Sequence, residues 1–319
     1  MNNILTRLKQ AKDNLSNPSQ IVKSILFPED VQKILNNAES KNSTVVSSTN
    51  DNFISSCEST ENSLLQRTKI RFLNEQVQKQ LNLEQIFKKT ETIVMNNVKS
   101  STDNDKPLEK DWLTYYSENA CKISDEQMQS FWAKLLSGEI LNPGTFSKRT
   151  IDALLKLSSK EANLFKKICE YVLETRGGNF LINDQYFGNI SDLSYSNIMR
   201  LDECGLLVAS GMNRMKLQAD KNQDIPIISN NIFIKGSVSE KISVEWQAFP
   251  LTTTGIELMK ITFNETPKYY LKTLIKYLKK KYPRINWSVH KITGRDKENF
   301  YYDEEDITTS IKTSNFETP

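Results

Sequence analysis

The histidine content of this chain restricts the catalytic chemistry that its side chains can perform. The 319 residues contain one histidine, His290, and a Ser/His/Asp or Cys/His arrangement needs a general base beside its nucleophile. His290 lies in the segment WSVHKI, where the alternation of a strand points it opposite Val289. We therefore predict a histidine at the surface or on an edge strand rather than a catalytic base.

Motifs that hold phosphates, metals or redox centres do not occur in the sequence. It has no GxxxxGK[ST] loop, no GxGxxG after a strand and no HExxH helix. Its four cysteines lie far apart and form no CxxC pair, so neither a zinc knuckle nor a redox dithiol is indicated. We predict no cofactor and favour a protein that is not an enzyme. A cryptic metal-dependent nuclease or other toxic effector, assembled from dispersed Asp, Glu and Lys residues, is the second alternative.

Two carboxylate clusters have explanations other than catalysis. Asp125 and Glu126 fall at the start of a predicted helix, where negative charge complements the helix dipole. The acidic run at 303–306 lies in a polar segment that offers no apolar pocket to raise a carboxyl pKa.

A basic stretch at residues 268–284 is the clearest candidate binding surface. Its basic residues are interleaved with tyrosines, a combination that can hold phosphates and stack on bases. Leu271, Leu274 and Leu278 meanwhile give the same predicted helix an ordinary core-facing stripe. Two interpretations stay open: a surface for nucleic acid or another partner, and a solvated helix whose lysines aid solubility. The basic residues are Lys268, Lys272, Lys276, Lys279, Lys280, Lys281 and Arg284.

Composition excludes some classes of protein. Hydrophobic residues make up 38% of the chain, charged residues 25%, and the net charge is +3, which is too mild to predict nucleic-acid binding from bulk charge. The first residues lack an apolar signal core, and no run approaches the roughly 18 apolar residues of a membrane span. We expect a soluble, reduced, cytoplasmic protein.

The N-terminal half is predicted to be helical. Residues 1–35 are predicted to form two helices, with Ile4, Leu5 and Leu8 at helical spacing. Residues 36–63 are rich in Asn, Ser and Thr and are predicted to be a disordered linker. A helical domain then spans 64–175. It begins with a long amphipathic helix over 64–97 that could break near Asn82.

Short helices with clear starts fill residues 108–175. Ser124 and Gln127 form a predicted capping box, and Ser158 opens a second one. Gly138 is the predicted stop of the helix between them.

The C-terminal part mixes helices and strands. The segments IPIISNNIFIKGSV and KISVEWQAFPL alternate as strands do, between helices predicted at 194–207 and in TTTGIELMKI. This order is typical of a winged helix, which we predict over 180–292, before a flexible tail at 293–319. The predicted fold class is mainly α, with an N-terminal helical region and a smaller C-terminal α+β winged-helix-like module.

An extended motif lies in the segment ISDEQMQSFWAKLLSGEILNPGTFSKRTIDALLKLSSKEANLFKKI. Its pattern, W-A-K-L-L-x-G-E followed by N-P-G-[ST]-[FY]-S-x-R-T and L-S-x-x-[ED]-A, resembles the signature of the bacterial DUF2806 family, a domain of unknown function. The resemblance is strong over 108–170 and weaker over most of residues 10–290. The family also looks related to the abortive-infection alpha group, so the resemblance implies a phage-defence setting by analogy.

This signature has a structural interpretation. The Pro-Gly turn joins two helices, and Arg149 falls in the first turn of the second helix, where positive charge opposes the dipole. We therefore predict that Arg149 pairs with Glu139 or Glu126 through a forked hydrogen bond, as a clamp rather than a ligand site. The signature residues are Trp132, Gly138, Glu139, Pro143, Gly144, Ser147 and Arg149.

The functional expectation combines these observations. We expect a non-enzymatic bacterial phage-defence component that senses or binds a macromolecular partner: a second copy, another defence protein or a phage protein. The helix over 64–97 is the predicted route to a homo-oligomer. The alternative is a winged-helix nucleic-acid-binding protein that uses residues 268–284 and the helix at 194–207.

Overall fold

The computed structural model describes residues 62–97, 108–262, 265–295 and 299–308. The helices predicted over 1–35 lie outside these residues, as does the predicted linker up to residue 61. The chain divides into two compact units, Met1–Ile151 and Asp152–Pro319.

The described part of the first unit is helical. It contains α1 (Asn62–Asn97), α2 (Lys110–Ala120) and α3 (Glu126–Leu141), while α4 (Lys148–Lys156) crosses the boundary between the units. Helix α1 runs unbroken through Asn82, whose side-chain amide donates a 2.9 Å hydrogen bond to the carbonyl oxygen of Cys121. The break predicted near Asn82 is therefore wrong, because this polar residue bonds to the chain that follows α2.

The second half of α1 packs against α3. Ile86, Thr90 and Val94 follow one another at four-residue intervals and are buried, as expected for the apolar stripe of a helix. The Thr90 hydroxyl donates to the carbonyl oxygen of Ile86 at 2.9 Å, so its burial leaves no polar atom unpaired.

Helix starts follow local capping chemistry. At the start of α5 (Ser159–Ile168), the Ser158 hydroxyl accepts from the amide of Glu161 and the Glu161 carboxylate accepts from the amide of Ser158, which confirms that capping box. The box predicted at Ser124 is wrong. Asp125 is the N-cap of α3, and its carboxylate accepts from the amide of Met128 at 2.8 Å.

The second unit adds three helices and eight strands to α5 among its described residues. The helices are α6 (Tyr195–Glu203), α7 (Thr253–Met259) and α8 (Lys268–Lys281). The strands are β1 (Leu173–Thr175), β2 (Gly178–Ile182), β3 (Arg214–Ala219), β4 (Asp224–Ser229), β5 (Ile232–Ser237), β6 (Ile242–Pro250), β7 (Asn286–Arg295) and β8 (Phe300–Tyr302).

These strands form one antiparallel sheet in the order β3-β6-β2-β1-β4-β5-β7-β8. Strands β4 and β5 make a hairpin whose last pair is Ser229 with Ile232. Asn230, one of the two residues between them, has φ of 49°, a left-handed conformation that asparagine tolerates in tight hairpins. The alternation in IPIISNNIFIKGSV therefore predicts both strands correctly.

The predicted fold class is wrong for the second unit, which is built on an eight-stranded sheet and is not a winged helix. The sequence shows most of the strands but not their partners. Strand β1 pairs with β4 through Glu174 and Ile228, and β2 pairs with β6 through Ile182 and Ala248. Such distant pairings leave no mark on local alternation.

Part of the range predicted to be a flexible tail, 293–319, forms strands, because β8 and the end of β7 fall inside it. Among the described residues, no helix has both the length and the apolar composition that crossing a membrane requires.

Candidate functional site

The hairpin between α3 and α4 is organised around the carboxylate of Glu139, which is 2% exposed. Its Oε1 accepts a hydrogen bond from the amide of Gly144 at 2.6 Å, and its Oε2 accepts one from the amide of Phe146 at 2.9 Å. Gly144 has φ of 85°, where a side chain would be strained. A buried charge is tolerated when it is fully hydrogen-bonded, so this carboxylate fixes the turn.

Gly138 has a different role from the one predicted. It lies inside α3, which continues to Leu141, so the predicted helix stop at this residue is wrong. A Cβ atom at Gly138 would lie 2.8 Å from the ring of Phe146, well inside van der Waals contact. Glycine is needed because the Phe146 ring packs directly on the α3 backbone.

Trp132 lies in the interior of the first unit, at 0% exposure. Its ring centroid is 5.2 Å from that of Tyr116, which stacks on Trp112 at 5.3 Å. The Tyr116 hydroxyl donates to the carbonyl oxygen of Trp132 at 2.9 Å. These aromatic contacts tie α2 to α3 and leave Trp132 no exposed surface for a ligand.

Arg149 is exposed, and the structure gives other partners to the two carboxylates predicted to bind it. Glu139 accepts the backbone amides described above, and Glu126 pairs with Lys89 at 3.3 Å. The predicted clamp is therefore replaced by a carboxylate–backbone bond. Ser147 directly precedes α4, and its hydroxyl lies 3.3 Å from that of Thr150. Pro143 is half-buried.

The basic stretch forms α8, an amphipathic helix. Its buried side includes Tyr270, Leu274 and Leu278. Four lysines near its C-terminal end have no carboxylate within ion-pair distance among the described residues, and we call them the α8 lysine surface: Lys276, Lys279, Lys280 and Lys281. Of the remaining basic residues, Lys268 and Arg284 are exposed and Lys272 is half-buried, while Arg284 pairs with Glu240 at 3.1 Å.

Lys281 is held in place by aromatic groups. Its Nζ donates to the Tyr277 hydroxyl at 2.8 Å and lies 5.1 Å from the centroid of that ring. The Tyr277 hydroxyl in turn donates to the Asp184 carboxylate at 3.0 Å. Burial, followed by the nearby Asp184 charge, raises the pKa of the Tyr277 phenol above its ordinary value, so the phenol stays protonated and keeps both bonds.

A second exposed feature lies on the first half of α1. Seven large apolar side chains between Leu64 and Leu81 are 46% to 62% exposed. Four of them share one side of the helix, and we call them the α1 apolar face: Ile70, Leu73, Val77 and Leu81. Ile70, Leu73, Val77 and Leu81 recur at three- and four-residue spacing, which places them on one side of the helix. A contiguous apolar patch of this kind on a protein surface is typical of an interaction site.

His290 is 7% exposed, so the prediction of a surface or edge-strand histidine is wrong. It lies on β7, which β8 covers on the outer side. Its Nδ1 is 3.0 Å from the carbonyl oxygen of Asp303 and its Nε2 is 2.8 Å from the Ser288 hydroxyl. The carbonyl oxygen can only accept, so Nδ1 carries a proton and donates to it. Both ring nitrogens are satisfied inside the sheet.

Sequence reasoning missed the residues around the end of α8. Asp184 and Tyr186 come from the turn after β2, and Tyr282 follows α8. The motif D-x-Y carries a weak local signal, because Asp184 caps this turn by accepting from the amide of Tyr186 at 3.0 Å. Their proximity to the lysines depends on the fold and has no counterpart in the sequence.

Among the described residues, no group of three or more His, Cys, Asp or Glu side chains is placed to hold a metal ion.

Comparison with known proteins gives one family. The sequence model of one family, described as "protein of unknown function (DUF2806)", matches residues 66–275. The match covers well over half of the chain and includes the hairpin held by Glu139. No match was found among curated proteins or among solved structures. The chain belongs to the DUF2806 family.

Proposed function

We propose that this protein is a non-enzymatic binding protein that recognises a macromolecular partner through the α1 apolar face. The exposure of four large apolar side chains on one side of α1 carries this proposal. In the cytoplasmic phage-defence setting that the resemblance to the abortive-infection alpha group implies, the partner is a second copy, another defence protein or a phage protein.

The size of the α1 apolar face is compatible with specific binding. Each of its side chains is about half exposed, and full burial of such a side chain gains ~1.5–3 kcal/mol. Covering all four therefore gains roughly 3–6 kcal/mol on this side of the interface alone. Association costs about 4–15 kcal/mol, so a partner that contributes a similar apolar area can bind.

Charge distinguishes the possible partners. Residues 64–81 contain Arg67, Lys69, Arg71 and Lys79 against Glu75, which gives four positive charges minus one negative charge, or +3. Two copies that meet along this segment would repel each other, whereas an acidic protein surface would be attracted. We therefore favour an acidic partner over a second copy.

Salt dependence tests this choice. Wild type and the variant L73S/V77S are compared by analytical ultracentrifugation and by capture from phage-infected cells, at 50 and 500 mM salt, with M212S as the control because Met212 is exposed in the second unit. Binding that weakens with salt and is lost in L73S/V77S supports an acidic partner. Self-association that strengthens with salt supports a homo-oligomer. A monomer that captures nothing under either condition contradicts the proposal.

A second candidate function, nucleic-acid binding, is supported by the α8 lysine surface. Four lysines within six residues lack a carboxylate partner among the described residues. Like charges four residues apart, such as Lys276 and Lys280, destabilise a helix slightly. A polyanion would relieve that repulsion and release its counterions.

The test is the salt dependence of oligonucleotide affinity. K276E/K280E is compared with K221E/K241E, which has the same charge change at exposed lysines elsewhere in the second unit. Weaker binding and a shallower salt slope in the first variant alone support this function. Equal effects in both variants would indicate attraction by net charge, without a defined surface.

A further inference from the structure

A polar cleft lies beside the α8 lysine surface, at the point where β2 leaves the sheet. Strand β2 pairs with β6 as far as Ile182 and Ala248, and the amide of Asn183 still donates to the carbonyl oxygen of Gln247 at 2.9 Å. After Asn183 the chain leaves the sheet. The other wall of the cleft is the end of α8. There the Tyr282 hydroxyl accepts from the amide of Glu245 at 2.9 Å and donates to the carbonyl oxygen of the same residue.

This cleft is large enough to admit one small ring system with its substituents. Its volume is about 580 Å³, within the range of natural ligand sites. The backbone bonds to Tyr282 already satisfy the edge of β6 at Glu245. The cleft is thus closed to a further strand and open to a ligand that binds through side chains.

Charges within the cleft are balanced. Arg214 pairs with Glu245 at 3.0 Å, and the Asp184 carboxylate accepts from the Tyr277 hydroxyl and from the amide of Tyr186. Lys281 and Arg214 therefore face two carboxylates. An anion gains little from such an environment, so the part of a ligand that enters is neutral and polar.

Three carboxamides supply the hydrogen-bonding groups. Asn183, Gln185 and Gln247 line the cleft and are exposed. A carboxamide presents a donor and an acceptor side by side, as the edge of a nucleobase does. Two tyrosine rings lie beside the lysines at the end of α8: Lys280 Nζ is 5.9 Å from the ring centroid of Tyr186, and Lys281 Nζ is 5.8 Å from that of Tyr282.

We propose that the cleft binds an unpaired base of a single-stranded nucleic acid whose phosphates lie along Lys276 and Lys280. This inference rests on the second candidate function and specifies its ligand. A neutral base beside a charged backbone matches a neutral cleft beside uncompensated lysines. A base inside a duplex is stacked and paired, so only an unpaired base can enter.

The experiment uses the 319-residue chain and measures fluorescence anisotropy with three kinds of probe. They are a single-stranded oligonucleotide (as DNA and as RNA), the duplex of the same sequence, and an abasic strand of the same length. The cleft variant is N183A/Q247A. Its control is Q218A/N286A, which removes two exposed carboxamides on β3 and β7. Circular dichroism verifies folding, and Q185A replaces the cleft variant if that variant unfolds.

We expect the cleft variant to bind the single strand about tenfold more weakly and the abasic strand as wild type does. K276Q/K280Q should weaken binding to every probe and reduce the salt slope by about 1.4, the value for two phosphate contacts of a single strand. A difference between DNA and RNA identifies which sugar the site prefers.

Three results would overturn the inference in distinguishable ways. If no probe binds, or if K276Q/K280Q has no effect, the nucleic-acid function fails together with the cleft. If K276Q/K280Q acts as expected but the cleft variant binds as wild type does, the function stands and the cleft is not its base site. If the duplex binds as tightly as the single strand, the ligand is not an unpaired base.

Discussion

Replacing Glu139 by glutamine tests whether the family signature is held together by a carboxylate–backbone bond. The side chain is buried, and its two oxygens accept from the amides of Gly144 and Phe146. Glutamine keeps the shape and one acceptor. Its amino group would face the other backbone N–H, so donor would meet donor.

The size of the effect follows from these two bonds. A hydrogen bond to a charged group contributes about 1.5–3 kcal/mol. Glu139→Gln loses one bond and leaves a buried amide unpaired, so we expect a loss of roughly 2–3 kcal/mol. Glu139→Ala loses both bonds and should lose roughly 3–5 kcal/mol. The matched control is Glu126→Gln, since Glu126 lies on the same helix in an exposed ion pair with Lys89, worth about 0–1 kcal/mol.

Two measurements check this expectation. Urea unfolding gives the shift in midpoint at constant m-value, and hydrogen exchange gives the protection of the Gly144 and Phe146 amides. Because exchange reports those two amides directly, it separates a local loosening of the turn from a global change. If Glu139→Gln unfolds within about 0.5 kcal/mol of wild type and both amides keep their protection, the carboxylate does not hold the turn.

Three further predictions follow from the packing. Gly138→Ala should destabilise the protein by about 1–2 kcal/mol despite the better helix propensity of alanine, and Phe146→Leu in the same chain should recover part of that loss in a double-mutant cycle. Burial raises the pKa of the Cys169 thiol to about 12 and that of Cys204 to about 11. At pH 8 their thiolate fractions are then about 10⁻⁴ and 10⁻³, so both should react with a disulfide reagent at least a hundredfold more slowly in the folded chain than in guanidinium. Folding raises these pKa values, so the stability linked to the protonated thiols is present at pH 7. It is lost as the pH rises from about 8.5, the pKa of a thiol in the unfolded chain, through the folded values. Tyr282→Phe should cost about 1–2 kcal/mol, since it leaves the amide and carbonyl of Glu245 without their partner, and faster exchange of that amide would show it.

Local chemistry made several elements predictable. The capping box of Ser158 and Glu161 and the hairpin at Asn230 depend on residues a few positions apart, and such signals are readable in a sequence. The same holds for α8, where Leu271 and Leu274 set a helical stripe. In the first two cases the partner that satisfies the backbone lies a few residues away, and in the third the apolar stripe itself repeats within one or two turns.

Elements that depend on distant partners were not predictable. The alternation around His290 places it opposite Val289, but the ring of Tyr302 on β8 lies 5.2 Å from the imidazole, and the Asp303 carbonyl oxygen bonds to its Nδ1. The charges in the sequence make Arg149 the expected partner of Glu139. The structure uses backbone amides instead, because every sequence contains amide donors and none of them is visible as a motif.

The range of the family match separates the scaffold from one of the two proposed surfaces. The match ends at residue 275, so it contains the hairpin of Glu139 and stops before Lys276, Lys280 and Lys281. Membership of the family therefore does not by itself imply nucleic-acid binding, which rests on the geometry of this chain. Glu139 and these lysines also belong to different compact units, and changes at sites without shared partners are additive. Glu139→Gln should accordingly alter the unfolding midpoint and leave the oligonucleotide salt slope unchanged, while K276Q/K280Q should do the reverse. An oligonucleotide affinity that followed the stability of the hairpin would mean that the two sites are coupled and that the signature takes part in binding.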